Sequence, residues 1–292
     1  MNITDNEKYI GNTAVGIVGG ASAYYLTPRV LGSQYAKLCR KYGYRFTICE
    51  QNKIWKAAEK VFAESPLKDK VQIVDYNTKN WEPIADNIVD SRRKFLKNTK
   101  NPFVKLMSKT WPSDEELKER MYVYAKGKNA CYMPATSQIL VNKEKKANAI
   151  FHEIGHALNA KGIGYRHMLA KTRGKAAKAV PFVFGISMLT PKDREDSPTK
   201  NPIYKRLLSF KKYSGLIAAA CLIPMVAEEG VASLNGAKMA KNVLSPDLYK
   251  KMNKSNLKAF GAYSLLMLLT GVGTTLANYI KDKITGPLPK KK

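Results

Sequence analysis

The sequence is short of acidic residues, of histidine and of paired cysteines. Its 292 residues hold 23 Asp plus Glu against 50 Lys plus Arg, a formal charge of 50 − 23 = +27, and only 3 histidines. The four cysteines, Cys39, Cys49, Cys131 and Cys221, are scattered and form no C-x-x-C pair. This spacing argues against a disulfide framework and a cysteine-ligated zinc knuckle, and it favours a reducing compartment.

Arginine is scarce among the cations, with 10 Arg to 40 Lys. Proteins that read nucleic acids rely on arginine for bidentate contacts to bases and phosphates, and no nucleic-acid-binding fingerprint is present, so we expect no nucleic-acid partner. An anionic lipid bilayer explains the charge better, because each basic side chain near the headgroups contributes about 1 kcal/mol. The apolar content of 45% excludes a disordered chain.

Four uncharged apolar stretches interrupt the basic sequence. Ile10–Thr27 has 18 residues and Ala259–Ile280 has 22, close to the length of about 20 that a membrane-spanning helix needs. Ala179–Thr190 and Tyr213–Ala227 have 12 and 15 residues. These two short stretches are compatible with core helices, spanning helices or a re-entrant or interfacial hairpin.

The first apolar stretch carries two further signals. Gly16 and Gly20 form a small-xxx-small pair, which lets another helix approach closely. Acidic residues precede the stretch and no A-x-A site closes it, so it is not a secretory signal. We predict a transmembrane helix over residues 1–28, and a C-terminal transmembrane helix with a basic tail over residues 259–292.

Residues 29–175 predict a mixed region of helices and short strands. Apolar residues at helical spacing predict helices over Gln51–Glu64 and Pro83–Leu96, and the capping-box pattern of Ser113 and Glu116 opens a third helix. Runs of β-branched and aromatic residues bounded by turn residues predict strands. These runs are Val71–Tyr76, Met121–Tyr124, Ala130–Met133 and Gln138–Val141.

A further helix, predicted from Lys143 onward, carries the H-E-x-x-H motif His152-Glu153-Ile154-Gly155-His156. On a helix, positions i and i+4 lie on one face, so both imidazoles can bind a single ion. Glu153 then lies where it can take a proton from metal-activated water. The residues on both sides of the motif are uncharged, as a buried active-site helix requires.

A catalytic zinc ion needs a third protein ligand and an open fourth position. The extended pattern H-E-x-x-H-x-x-G-x-x-H fails here, because Asn159 and Gly162 replace its glycine and its last histidine. His167 lies in a basic, polar stretch that is typical of a surface residue. Glu228 and Glu229 end an apolar run, where buried carboxylates need a partner, so one of these two is the better candidate.

These motifs together resemble those of membrane-associated gluzincin zinc metallopeptidases, the family of HtpX and the CAAX prenyl endoprotease. The resemblance covers residues 120–160 and 225–236: an N-A-x-x-x-P stretch, a following strand, the H-E-x-x-H helix and, some 70 residues later, E-x-x-A. It implies an α+β, mainly helical fold with a zincin-like metallopeptidase domain over residues 29–258. An apolar helical hairpin is inserted in this domain at about residues 179–227.

The resemblance also implies one Zn2+ per chain and a set of site residues. The metal ligands are His152, His156 and Glu229, because Glu229 begins the E-x-x-A register, and Glu153 is the catalytic base. A short edge strand is expected to bind the protein or peptide substrate by strand addition. Its residues are Asn129, Ala130, Cys131, Tyr132 and Met133.

One position departs from the family pattern. The family has an aspartate after E-x-x-A that orients a ligating histidine, and this chain has Ser233 there. Losing such an outer-shell partner typically costs about 10–100-fold in metal affinity or activity. The resemblance as a whole implies a zinc-dependent endopeptidase that acts on membrane or membrane-proximal proteins. Because of Ser233, the alternative is a catalytically weakened or inactive membrane scaffold of the same fold.

Charge asymmetry around the first apolar stretch predicts the orientation in the membrane. One Lys precedes Ile10, whereas five Lys or Arg residues follow within the 18 residues after Thr27. The positive-inside rule then places the catalytic region of an integral membrane protein on the cytoplasmic side. The basic C-terminal tail opposes this orientation if all four stretches span, because it then ends outside.

Overall fold

The computed structural model describes residues 5–41, 45–100, 102, 105, 108, 111–193 and 198–287. The part of the chain that the structure describes is mainly helical, with 76% helix and one three-stranded sheet, which confirms this part of the predicted fold class. The described residues divide into two compact units. Unit 1 contains the described parts of Met1–Gly43, Leu169–Ala227 and Lys258–Lys292, and unit 2 those of Tyr44–Met168 and Glu228–Leu257.

The helices and strands are numbered in chain order. They are α1 (Asp5–Lys41), α2 (Ile48–Ala63), β1 (Gln72–Asp75), α3 (Trp81–Asn98), α4 (Asp114–Ala125), β2 (Cys131–Met133), β3 (Gln138–Val141), α5 (Lys143–Lys146), α6 (Ile150–Lys161), α7 (Tyr165–Ala177), α8 (Val180–Leu189), α9 (Pro202–Ala220), α10 (Ile223–Lys241) and α11 (Pro246–Thr285). A single 3-10 turn, Ala147–Ala149, joins α5 to α6.

The sheet of unit 2 has the strand order β1-β3-β2, with β3 parallel to β1 and antiparallel to β2. Successive side chains of a strand point to opposite faces, and β3 follows this rule with two cores. Ile139 and Val141 join the core formed with α2 and α6, while Leu140 joins the core formed with α3 and α4. The sheet therefore separates two hydrophobic layers, and α6 lies in the first.

Most predicted elements of unit 2 are confirmed. The predicted helices correspond to α2, α3 and α4, and the capping box of Ser113 and Glu116 is present at the start of α4. The strands predicted over Val71–Tyr76, Ala130–Met133 and Gln138–Val141 correspond to β1, β2 and β3.

The strand predicted over Met121–Tyr124 is wrong, because these residues form the last turns of α4. The capping box starts a helix at Ser113, and Leu117, Met121 and Ala125 then face the core at four-residue spacing. This tertiary burial outweighs the β-propensity of four consecutive residues. Gly127 ends the helix with a positive φ of 74°, a conformation that glycine adopts without strain.

In unit 1, the glycine pair of α1 lies against the backbone of α11. A Cβ added at Gly20 would stand 2.6 Å from the carbonyl oxygen of Ala277, and one at Gly16 would stand 3.0 Å from that of Lys281. The predicted close helix approach at these two glycines is confirmed. Gly215 of α9 makes a similar approach to the carbonyl oxygen of Gly271.

Two described stretches are long and apolar enough to cross a membrane by length and composition. They are Pro202–Lys241, which comprises α9 and α10, and Pro246–Thr285, which is α11. They contain the predicted apolar stretches Tyr213–Ala227 and Ala259–Ile280. The stretch Ile10–Thr27 lies within α1, and its spanning role stays a prediction.

The remaining apolar stretch forms α8, which has 10 residues. A straight helix of this length covers about 15 Å, half of a hydrocarbon core of about 30 Å. The helix is therefore too short to span a bilayer by itself. The basic residues of the predicted C-terminal tail beyond 287 lie outside the described residues.

Candidate metal centre

The crossing of α6 and α10 brings the H-E-x-x-H motif to the carboxylates that follow 70 residues later. A Cβ at Gly155 of α6 would overlap the carbonyl oxygen of Ala232, and one at Gly236 of α10 would overlap that of Phe151. No side chain fits at either position. One glycine on each helix therefore lets the two backbones touch, and the close crossing aligns the polar residues of the two helices.

Three potential ligand atoms converge at this crossing. His152 Nε2 lies 3.0 Å from His156 Nε2, and Glu229 Oε2 lies 3.2 Å from the first and 3.4 Å from the second. The side chains of both histidines are largely buried, and the Glu229 side chain is 1% exposed. These three residues could hold a metal ion.

The other nitrogen of each imidazole contacts a different residue of α10. His152 Nδ1 lies 3.0 Å from Ser233 Oγ, and His156 Nδ1 lies 2.8 Å from Glu228 Oε1. An ionised carboxylate only accepts hydrogen bonds, so His156 Nδ1 carries the proton toward Glu228. A neutral His156 then presents a lone pair at Nε2, the atom that faces Glu229.

The electrostatics of the centre are dominated by buried carboxylates. Glu228 and Glu229 are each 1% exposed and Glu153 is 6% exposed. Burial by itself lowers the pKa of His156, but hydrogen bonds to Glu228 and Glu229 together outweigh this effect. The net result is a pKa raised to about 10. The metal-free centre therefore favours a protonated His156, and a bound cation would take over that positive charge.

Glu153 points to the edge strand of the sheet. Its Oε2 accepts a hydrogen bond of 2.8 Å from the backbone N–H of Tyr132 in β2. This N–H is directed to Glu153 rather than to β3, the pairing partner of β2. The contact fixes the carboxylate beside a strand edge, one residue after His152 in the chain.

The residues predicted to bind substrate are divided in the structure. Cys131, Tyr132 and Met133 form β2, whereas Asn129 and Ala130 precede it. Ala130 is buried in the core and Asn129 is exposed. Burial raises the pKa of the Cys131 thiol, so this cysteine is a poor nucleophile.

His167 takes no part in the centre. It is exposed, and its Nδ1 lies 3.0 Å from the carbonyl oxygen of Ala160. Of the two glutamates, Glu229 faces both Nε2 atoms and belongs to the group that could hold a metal ion, whereas Glu228 faces His156 Nδ1.

Two asparagines of the centre were not identified from the sequence. Asn159 Nδ2 donates to Glu228 Oε1 at 3.0 Å, and Asn235 Nδ2 donates to Asn159 Oδ1 at 3.1 Å. Asn159 follows His156 by three positions and so shares its helix face, which is the signal that could have indicated it. Asn235 has no such signal, because its contact depends on how the two helices cross.

Comparisons with known proteins found no family model, no curated protein and no solved structure that matches the chain.

Proposed function

We propose that the chain is a zinc-dependent endopeptidase of the gluzincin type, which hydrolyses peptide bonds of membrane or membrane-proximal proteins. The observation that carries the proposal is the convergence of two imidazole nitrogens and one buried carboxylate oxygen, with Glu153 on the same helix as both imidazoles. The resemblance of the motifs to membrane-associated gluzincins supports a zincin-like arrangement of this unit.

The spacing of the three atoms fits zinc. Ligand atoms about 2.0–2.1 Å from a tetrahedral ion lie about 3.3 Å from one another, and the observed separations are 3.0, 3.2 and 3.4 Å. Two imidazoles with one carboxylate are a donor set of catalytic zinc sites, which keep a fourth position open. When bound, zinc supplies a Lewis acid that polarises a carbonyl and makes water more acidic.

Glu153 is the general base of the proposed reaction. It removes a proton from the attacking water and delivers it to the leaving amine, so that the proton lost in the first step is used in the second. Its burial and its hydrogen bond to the Tyr132 N–H hold the carboxylate in one orientation.

The substrate is proposed to add as a strand along the free edge of β2. Strand addition uses backbone groups for affinity, so it tolerates varied side chains. The outward N–H of Tyr132 is bonded to Glu153, and a peptide carbonyl that takes this N–H would free the Glu153 carboxylate. Substrate binding and exposure of the base are thereby coupled at one backbone group.

The proposed setting is a membrane with anionic headgroups. The two stretches of membrane-spanning length and the excess of lysine support an integral membrane protein. The cluster of cations after Thr27 favours a catalytic unit on the cytoplasmic side.

The alternative is a catalytically weakened or inactive scaffold of the same fold. Ser233 is the residue that favours it, because a neutral hydroxyl lies at His152 Nδ1 where the peptidases that the motifs resemble have an aspartate. This scaffold would keep the helix crossing and a metal ion but would turn over no peptide.

The test is Glu153→Gln in the full chain, purified in detergent and assayed on fluorescein-labelled casein. We expect bound zinc to remain near one per chain while chelator-sensitive cleavage falls by about 10²- to 10⁴-fold. Glu144→Gln is the matched control, since Glu144 is an exposed glutamate of α5. Equal cleavage by wild type and Glu153→Gln would contradict the proposal, and zinc-loaded wild type without cleavage would favour the scaffold.

A further inference from the structure

The two imidazoles of the centre are supported by chemically different partners. His152 Nδ1 meets the neutral hydroxyl of Ser233, whereas His156 Nδ1 meets the carboxylate of Glu228. Hydrogen bonds to a charged acceptor are roughly twice as strong as those between neutral groups. The stronger support therefore goes to the second histidine of the motif.

Glu228 is itself held in place. Its side chain is 1% exposed, and its Oε1 accepts from both His156 Nδ1 and Asn159 Nδ2, at 2.8 and 3.0 Å. Asn235 in turn donates to Asn159. The two asparagines, one from α6 and one from α10, thus fix the carboxylate, and the carboxylate fixes the imidazole ring.

We propose that Glu228 is the positioning residue of the metal centre and supplies, at His156, the negative charge that Ser233 does not supply at His152. This inference rests on the proposed zinc site. A carboxylate at Nδ1 holds the imidazole in the tautomer with its lone pair at Nε2 and increases the basicity of that nitrogen. The carboxylate that bonds a ligating imidazole therefore lies at His156, the second histidine of the motif, and not at His152, the first.

The first experiment measures zinc affinity, with a competing chromophoric chelator, for the wild type, Glu228→Gln, Glu228→Asp and the control Glu144→Gln. We expect Glu228→Gln to weaken zinc binding by about 10–100-fold. Glu228→Asp keeps the charge and should lose less, and Glu144→Gln should match the wild type. The visible spectrum of the Co2+-substituted protein should shift in Glu228→Gln, because the second imidazole is no longer held.

The decisive variant removes the carboxylate at position 228 and introduces one at position 233, beside the other imidazole. Ser233→Asp in the Glu228→Gln background should recover most of the lost zinc affinity, because it places an anion at the other imidazole. Recovery in the double variant would show that charge at an imidazole matters, rather than packing at position 228. A Glu228→Gln protein that binds zinc as the wild type does would overturn the inference, and so would a double variant that recovers nothing.

A measurement on the unmodified chain covers the case in which Glu228→Gln fails to fold. With only 3 histidines, nitrogen-15 labelling of histidine in the zinc-loaded protein can identify each tautomer. We expect His156 to carry its proton at Nδ1, and a proton at Nε2 would overturn the inference. Failure of the wild type to bind zinc would instead contradict the proposed function, so the two failures are distinguishable.

Discussion

Each unit of the protein buries a cluster of charged side chains, and the two clusters differ in what they face. In unit 1, Lys281 is 1% exposed and Lys211 is 8% exposed. Both ammonium groups donate to the carbonyl oxygen of Thr190, at 2.8 and 3.0 Å, and both lie against Asp282. Donors there meet acceptors supplied by the chain.

In unit 2 the buried carboxylates face imidazole rings instead of ammonium groups. Two imidazole nitrogens and one carboxylate oxygen lie within 3.4 Å of one another, with a second buried carboxylate behind His156. Lone pairs repel unless a proton or a cation lies between them. The unit 1 lysines therefore have carbonyl and carboxylate partners near the end of α8, whereas the unit 2 group could hold a metal ion.

The largest expected effect comes from breaking the helix crossing under the metal centre. Gly155→Val would place side-chain atoms on the backbone of α10, and such overpacking should lower the free energy of unfolding by about 3 kcal/mol or more. Thermal unfolding in detergent measures it. The control is Gly174→Val, whose Cβ meets no atom within 4 Å; equal melting temperatures for the two variants would contradict the close crossing.

The next effect on zinc affinity separates the group that could hold a metal ion from the lysine cluster of unit 1. Glu229→Gln removes a charged ligand atom and should weaken zinc binding beyond the roughly 100-fold expected for an outer-shell partner. Asp282→Asn, a change in the lysine cluster, should leave zinc affinity unchanged. Titration with the chromophoric chelator reports both, and a reversed order of the two variants would refute the distinction.

A smaller effect, on the free energy of unfolding, is expected from a change in the lysine cluster of unit 1. Lys281→Met keeps the aliphatic length but removes a buried donor to Thr190 and Asp282, so the free energy of unfolding should fall by about 1–3 kcal/mol. Zinc affinity should not change. Lys205→Met, at an exposed lysine of α9, serves as the control and should leave the melting temperature within error of the wild type.

The smallest effect concerns the edge strand beside the centre. Because burial raises the pKa of the Cys131 thiol, iodoacetamide at neutral pH should alkylate Cys131 far more slowly than the exposed Cys49. Peptide mapping by mass spectrometry gives the rate at each site. Alkylation of Cys131 as fast as Cys49 would show that the strand is not packed as described.

The local parts of this structure could be predicted from the sequence, and the non-local parts could not. The four-residue spacing of His152 and His156 depends on one helix alone, and the capping box of α4 depends on four adjacent residues. The separate roles of Glu228 and Glu229 depend on how α6 and α10 cross, which is set by Gly155 and Gly236. No local pattern reveals that crossing.

The same limit explains why the strand predicted over Met121–Tyr124 is wrong and why the contact of Glu153 with β2 was missed. The residue types of Met121–Tyr124 favour a strand. The core contacts that favour a helix instead, such as those with Tyr76 and Leu140, come from residues distant in sequence. The hydrogen bond from the Tyr132 N–H to Glu153 joins residues 21 positions apart. Both features follow from how the sheet packs against the helices, which the secondary-structure propensities of single residues do not reveal.

Zinc-edge X-ray absorption on the purified, zinc-loaded chain tests the metal centre most directly. We expect one zinc per chain with nitrogen and oxygen ligands at about 2.0–2.1 Å and two imidazole rings, one of which disappears in His156→Ala. A chain that retains no zinc would contradict it, and so would sulfur ligands at about 2.3 Å.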